Sequence, residues 1–263
     1  MPRARLSQPG SWPRERCNFG FLQTHPHPAL SELAGISGYD FIFLDGEHGL
    51  FSEQDFAHAL RALESSDITR FIRLRGIDTH AVGHYLDLGA DGIVAPGVST
   101  ADDARALVTA MSYPPAGTRG FAASLHRSTR YGVDVQSHLK DPTGGASLFI
   151  ILESALGVAN AEEIIAVDGV HGIIIGPFDL SAAMGCAGDF AQPAFLQAVQ
   201  RIESICNSRQ KLLGTAPYPG VTIPELFARG HRLFIIGADM PLMREAMGSQ
   251  LRAARSALNL HEN

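Results

Sequence analysis

The sequence predicts an α/β protein folded as a (β/α)8 TIM barrel, and three observations predict it. Short apolar runs alternate with helix-length amphipathic stretches about eight times along the chain. The apolar runs are continuous rather than alternating, which marks strands buried on both faces of a parallel sheet. The chain has 263 residues, and such a barrel occupies about 250 as one domain. An open doubly wound sheet is the competing arrangement, but no G-x-G-x-x-G supports a dinucleotide site in it.

Each element has a local reason. Residues 18–22 read as the first strand, and a helix begins at 28–34. Phe41 to Leu44 is a buried-strand run ending at Asp45. Ser52 is a good N-cap for a helix running to Leu63, with Glu53 and Asp55 in its first turn. Residues 71–73 are strand-like and 79–88 helical. A strand at 92–95 ends at Pro96, and Thr100 caps a helix over 101–111 with Asp102 and Asp103 in its first turn. From Tyr113 to about Gly145 the chain is rich in Gly, Pro, Ser and Arg, a loop long enough to carry function or local structure of its own. Residues 148–152 form the clearest strand, followed by a helix at 160–167. A strand at 172–175 is stopped by Gly176-Pro177. A helix at 194–208, a short strand at 211–215, a helix at 222–229, a strand at 233–236 ended by Gly237, and a long final helix at 241–260 complete the alternation. No linker divides the chain, so residues 18–263 read as one barrel domain and 1–17 as a flexible lead-in.

Composition narrows the classes. Charged residues are 18% of the chain, below the usual ~25%, which points to surface buried between subunits. Net charge is −6 with no basic block, which argues against a nucleic-acid partner. No apolar run approaches the ~18 residues of a membrane span. The basic N-terminal stretch lacks the apolar region of a secretory signal. Three cysteines, Cys17, Cys186 and Cys206, show no metal-ligand spacing, and a reduced cytoplasmic protein is the natural reading.

Barrels of this kind carry their chemistry at the C-terminal ends of strands. The polar residues that follow apolar runs here are Asp45, Glu47 and His48, then Arg73 and Arg75, then Glu153, then Asp179. Glu153 and Asp179 follow adjacent strands, so their carboxylates can converge on a hard cation such as Mg²⁺ that keeps waters and accepts substrate oxygens. Zinc in a closed site would want Cys or several His. Gly176-Pro177-Phe178-Asp179-Leu180-Ser181 is a glycine turn entering a short helix, a place for a carboxylate, or else a capped turn with Asp179 as N-cap. Arg73 suits stabilisation of a developing oxyanion, or a strand-end ion pair. His48 suits proton transfer, or a hydrogen bond to a loop carbonyl. The only lysines are Lys140, in the long loop, and Lys211, which opens a strand on the opposite rim, so a Schiff base is not expected. Arg119, His126, Arg127 and Arg130 read equally as an acceptor-pocket wall or as a solvated or subunit-contact cluster.

Four segments carry a resemblance. Leu44-Asp45-Gly46-Glu47-His48-Gly49, Tyr113-Pro114-Pro115-Ala116-Gly117-Thr118-Arg119-Gly120, Ile151-Leu152-Glu153-Ser154 and Ile175-Gly176-Pro177-Phe178-Asp179-Leu180-Ser181 resemble the HpcH/HpaI family of class II pyruvate aldolases, in family order over roughly residues 18–255. The resemblance implies a phosphoenolpyruvate/pyruvate-type barrel whose last helix is exchanged with a neighbouring subunit, in a trimer of dimers. It implies that Glu153 and Asp179 hold a divalent ion (Mg²⁺, Mn²⁺ or Co²⁺) and that Arg73 lies beside the pyruvate oxygens. His48 would transfer protons, and Asp87 would reach the His48 of a neighbouring subunit. Backbone around Gly176, Pro177, Phe178 and Asp179 would hold the pyruvate carboxylate.

The activity implied is reversible cleavage of a 4-hydroxy-2-oxo acid to pyruvate and an aldehyde through a metal-stabilised enolate. The alternatives are oxaloacetate decarboxylation, an unusual acceptor in the manner of macrophomate synthase, or a non-catalytic keto-acid-binding relative. Residues 21–23, 24–28 with the histidines His25 and His27, 121–123 and 214–218 depart from the family pattern where the second substrate sits. They leave the aldehyde open.

Overall fold

A computed structural model describes residues 16–122 and 124–258. Eight parallel strands close in chain order into a barrel: β1 (Asn18–Gln23), β2 (Phe41–Asp45), β3 (Thr69–Arg73), β4 (Gly92–Ala95), β5 (Ser147–Leu152), β6 (Val170–Ile175), β7 (Leu212–Thr215) and β8 (Leu233–Ala238). β1 pairs with both β2 and β8, which removes the free edges. Around it run α1 (Pro28–Ile36), α2 (Glu53–Ala62), α3 (Thr79–Asp87), α4 (Ala101–Met111), α5 (Val135–His138), α6 (Ala155–Ala159), α7 (Ala161–Ile165), α8 (Pro177–Ala183), α9 (Pro193–Ser208), α10 (Ile223–Ala228) and α11 (Asp239–Ala257). The predicted (β/α)8 barrel is therefore the observed one. Among the described residues no helix is long and apolar enough to cross a membrane.

Strand periodicity sorts the side chains into two cores. Successive side chains point to opposite faces of a strand. Ile42, Leu44, Ile72, Ile93, Leu148, Ile150 and Ile173 face the helices. Phe41, Phe43, Phe71, Val94, Phe149, Ile151 and Ile174 face inward and fill the barrel. The filling depends on glycine. A Cβ at Gly20, Gly92 or Gly172 would overlap the ring of Phe41, Phe71 or Phe149 respectively. The aromatic rings thus occupy volume that neighbouring strands vacate, and the barrel is packed to its mouth.

The caps fall where local sequence placed them. Ser52 accepts from the Asp55 amide and Thr100 from the Asp103 amide, and the Asp carboxylate at each end returns a bond to the cap's own amide. Three expectations need correction, and a fourth, local structure in the long loop, is met. The helix expected at 160–167 is two short helices, α6 and α7, because Ser154 caps an earlier start. The strand expected to end before Gly237 continues to Ala238 through a register shift against β1. The final helix starts at Asp239, not 241. The long loop holds a 3₁₀ turn at Arg127–Thr129 and α5. The lead-in expected at 1–17 lies outside the described residues except for its last two.

Candidate active site

The rule that fills the barrel also builds its mouth. Two residues beyond inward-facing Phe43 comes Asp45; two beyond Phe71 comes Arg73; two beyond Ile151 comes Glu153; two beyond Ile174 comes Gly176. Asp45 is fully buried and receives Arg73 Nε at 2.8 Å and Nη2 at 2.7 Å, a bidentate fork. The same carboxylate accepts the amides of Glu47 (3.0 Å) and His48 (3.3 Å), which shapes the turn after β2. Arg73 Nη1 lies 2.9 Å from Glu47 Oε2. A guanidinium has five N–H groups; three face these carboxylates, and two are left for a ligand. Glu153 Oε1 accepts the Gly97 amide at 2.8 Å. Its Oε2 lies where a Cβ on Gly176 would stand 3.1 Å away, so only a small residue fits beneath it. Asp179 sits in the first turn of α8, whose N-cap is Gly176 rather than Asp179.

Electrostatics distinguish this cluster from an ordinary ion pair. Burial pushes the Glu153 carboxyl above its usual range; the Gly97 amide and Arg73 oppose that, and the charges of Glu47 and Asp179 add to it. Burial also raises Glu47, with Arg73 and His48 opposing and Asp45 and Asp179 adding. Burial works against the charge of Arg73, yet its bonds to Asp45 and the nearby Glu47 and Glu153 hold it above its usual value. Asp45, Glu47 and Glu153 act on the one guanidinium of Arg73, and Asp179 adds its charge to Glu47 and Glu153, so carboxylates outnumber it here. Glu47 Oε2 is buried and accepts no well-directed hydrogen bond. Hard, negative, partly desolvated oxygens of this kind suit a divalent cation. Among the described residues no three His, Cys, Asp or Glu side chains form a closed metal cage. Glu153 and Asp179 are the residues that would hold such an ion, with its remaining positions left to water or substrate.

Comparison with known proteins decides the family. The family model for HpcH/HpaI aldolase/citrate lyase matches residues 20–246. The chain belongs to the HpcH/HpaI aldolase/citrate lyase family. It is 33% identical over 231 residues to a 2-keto-3-deoxy-L-rhamnonate aldolase of Salmonella gallinarum, covering 86% of this chain and 85% of that protein. It superposes with a TM-score of 0.85 and 26% identity on the crystal structure of an HpcH/HpaI aldolase/citrate lyase family protein from Burkholderia cenocepacia, covering 91% of this chain and 95% of that one. Macrophomate synthase shares the fold, with a TM-score of 0.80 over 93% of this chain and 86% of its own at 24% identity. The protein is an enzyme of the aldolase kind, a carbon–carbon lyase.

The expected residues of this aldolase divide into two groups. Glu47, His48, Arg73, Glu153 and the segment Gly176–Asp179 meet at the barrel mouth. His48 is 64% exposed, with Nε2 3.8 Å from Glu47 Oε2. Phe178 is exposed with its ring edge-on to Phe190. Arg75 donates to the Phe51 carbonyl at 2.9 Å and holds a loop.

Asp87, Arg119, His126, Arg127 and Arg130 gather elsewhere. Asp87 ends α3, which runs back against the strands and so finishes at their N-terminal end. There it meets Arg119 Nη2 at 2.6 Å and His126 Nδ1 at 3.0 Å. Arg127 pairs with Glu64, and Arg130 with Asp134 at 2.9 Å. Arg119, Arg127, Arg130 and Lys140 line a groove of about 960 Å³ beside the residues that precede β4 and β5. The acceptor-pocket reading of these arginines is therefore wrong for the mouth of their own barrel. The long loop packs on the opposite end, held there by the Tyr113 amide on the Pro142 carbonyl and by Arg119 stacked 4.5 Å over the Tyr113 ring. Lys211 donates Nζ to the Val170 carbonyl at that same end.

Two supporting groups had no role assigned from sequence. Asp45 stands among the strand-end polar residues of the sequence, and its hold on Arg73 appears only once β2 and β3 pair. The Gly97 amide carries no side-chain signal.

Proposed function

We propose that this aldolase cleaves a 4-hydroxy-2-oxo acid to pyruvate and an aldehyde, and runs the reverse condensation, with a divalent ion held by Glu153 and Asp179. The observation that carries the reading is the excess of carboxylates over a single, rigidly held Arg73 at the barrel mouth. When bound, the ion supplies Lewis-acid stabilisation of negative charge on the keto oxygen, worth several kcal/mol. Arg73, fixed by Asp45, directs its two remaining N–H groups at the same oxygen as charge develops there. First-turn N–H groups of a helix have no intrahelical acceptor. Pro177 has none to give, so Phe178 and Asp179 offer theirs to the substrate carboxylate. His48 takes the proton of the 4-hydroxyl as the C3–C4 bond breaks, and the pyruvate enolate is then protonated at C3.

The relatives' name, 2-keto-3-deoxy-L-rhamnonate aldolase, supports a 2-keto-3-deoxy sugar acid as the substrate class, with a hydroxyaldehyde as co-product. A homo-oligomer fits two further observations. His48 and Asp87 stand at opposite ends of one barrel, so their pairing requires a second copy. α11 buries only Asp239 and exposes Met240, Met243, Met247 and Leu251, a face suited to exchange with a neighbour in a trimer of dimers.

The test is product analysis with pyruvate and a panel of aldehydes, in chelator and then with Mg²⁺, Mn²⁺ or Co²⁺ restored. Condensation that requires the metal and is lost in Glu153→Ala supports the reading. Full activity of that variant in metal-free buffer sinks it.

A further inference from the structure

The stretch Thr24-His25-Pro26-His27-Pro28 carries two histidines that the structure treats differently. His27 is a helix cap: its Nδ1 accepts the Ala29 amide at 3.3 Å at the start of α1. His25 belongs to a relay. The buried carboxylate of Asp239 accepts the amides of Thr24 (2.9 Å), His25 (2.7 Å) and Met240 (2.9 Å), and the Thr24 hydroxyl at 2.7 Å. His25 Nδ1 lies 3.0 Å from that same hydroxyl oxygen. A hydroxyl has one proton to give, and here it goes to Asp239. His25 Nδ1 is therefore the donor to Thr24 Oγ1, and the neutral ring carries its lone pair on Nε2. The tautomer is set by the partner of the other nitrogen.

The loop that holds this ring is built rather than loose. Buried Gln23 donates Nε2 to the carbonyls of His25 (2.8 Å) and His27 (3.1 Å) and accepts the Ser31 hydroxyl at 2.7 Å. Its position is at the mouth. The Thr24 carbonyl accepts the amide of Leu50 at 2.9 Å, two residues beyond His48. His25 stands on the loop leaving β1, at the same end of the closed barrel as Glu153 and Asp179, with its side chain partly exposed. The acidic residues of that cluster follow β2, β5 and β6, and β1 borders it through β2.

We infer that His25 is a specificity residue of this aldolase. Its Nε2 accepts a hydrogen bond from a hydroxyl on the aldehyde half of the substrate, and Thr24 and Asp239 are positioning residues that fix the accepting tautomer. The inference rests on the aldolase reading above and adds the side chain by which a hydroxyaldehyde is preferred to its deoxy analogue.

The experiment pairs lactaldehyde with propanal, which has the same skeleton without the hydroxyl, each condensed with pyruvate in the presence of Mg²⁺ or Mn²⁺. His25→Ala should reduce the ratio of kcat/KM for lactaldehyde over propanal about tenfold, the scale of one neutral hydrogen bond, mainly through KM. His25→Gln, which retains an acceptor oxygen, should recover part of the ratio. A ratio unchanged within twofold in His25→Ala overturns the inference while leaving the aldolase reading intact. Failure of the wild-type protein to condense either aldehyde overturns the aldolase reading instead. The relay has a readout independent of turnover. ¹⁵N NMR of histidine-labelled protein should show His25 protonated at Nδ1, with Thr24→Val losing that preference and Thr24→Ser keeping it. An Nε2-protonated ring in the wild type overturns the assignment of acceptor whatever the kinetics.

Discussion

The two ends of the barrel handle charge in opposite ways. At the N-terminal end, Arg70 is nearly fully buried and places Nε and Nη2 on Asp91 at 2.9 and 3.0 Å and Nη1 on Glu64 at 3.0 Å; Arg127 shares Glu64. Asp91, Glu64 and Asp87 there each face a guanidinium. At the C-terminal end, Asp45, Glu47 and Glu153 share a single Arg73, and the charge of Asp179 adds to that of Glu47 and Glu153. One end pairs its acids with guanidinium groups of the chain, and the other leaves acids in excess. That is the division between a stabilising face and a reactive face expected of this fold, written in side-chain charge.

The largest effects should come from removing the imbalance at its source. Glu153→Ala or Asp179→Ala should abolish turnover through loss of the ion, and titration calorimetry with Mn²⁺ should show the binding heat disappear. Arg73→Ala should lower kcat by ~10²-fold, the scale of a lost oxyanion donor; a change below threefold would remove Arg73 from the chemistry. The opposite end should answer in stability rather than rate. Arg70→Ala leaves Asp91 buried without its partner, a change that costs about 3–5 kcal/mol when a buried pair is broken. Thermal melts should fall by roughly 6–20 °C, with kcat per folded molecule little changed. If Arg70→Ala reduced kcat and left Tm alone, the contrast between the two ends would be void.

A subtler expectation sharpens the contrast. Burial raises the folded-state pKa of Glu153 above its unfolded value. Its ionised form therefore weakens the fold at neutral pH, and that penalty disappears as pH falls through the raised folded value. In chelator at pH 7, Glu153→Gln should melt higher than the wild type while having no activity. Addition of Mn²⁺ should reverse the order, because only the wild type binds it. Equal melting in chelator would mean that the carboxylate is not strained by its neighbours.

How far the sequence discloses this arrangement depends on the range of the interaction concerned. Ser52 and Thr100 are legible as caps because each bonds within three residues of itself. Arg73, Glu153 and the glycine turn at Gly176 are legible because a polar residue after a buried run marks a strand end, and strand ends meet at the mouth. The arginines of the long loop are not, since nothing local to Arg119 or Arg127 says which end of the barrel the loop covers; the answer lies in Tyr113, Pro142 and Glu64. His25 and His27 look alike in sequence and part only because Asp239 returns to Thr24 from 215 residues away. The start of α6 shows a different failure, where a cap at Ser154 was present and the helix after it was too short to show periodicity.

The mouth itself contains a finer version of the same comparison. Helices run against the strands, so their N-termini ring the active site, and this outer ring also carries carboxylates. Asp55 titrates below its usual range because the Ser52 hydroxyl and amide bond to it, and Glu225 does so through Thr222. Burial opposes the same shift at Asp103, but bonds from Thr100 and the Ser99 amide prevail. A lowered folded pKa contributes stability that is present above the ordinary carboxylate value and is lost as pH falls through the folded one. The inner carboxylates, Glu47 and Glu153, have the opposite sign. Mild acidification should therefore first relieve the inner ring and only later undo the outer one, giving metal-free protein a stability maximum on the acid side of neutrality. Asp103→Asn should lower Tm by about 1–2 °C at pH 7, the scale of one charge at a helix N-terminus, and make no difference once pH falls below its lowered folded value. Glu153→Gln should flatten the rise between neutral pH and the maximum. Melting curves of the two variants across pH 3–8 in chelator separate the rings: if Asp103→Asn flattened the rise and Glu153→Gln removed the fall, the inner and outer carboxylates would have exchanged the signs assigned to them.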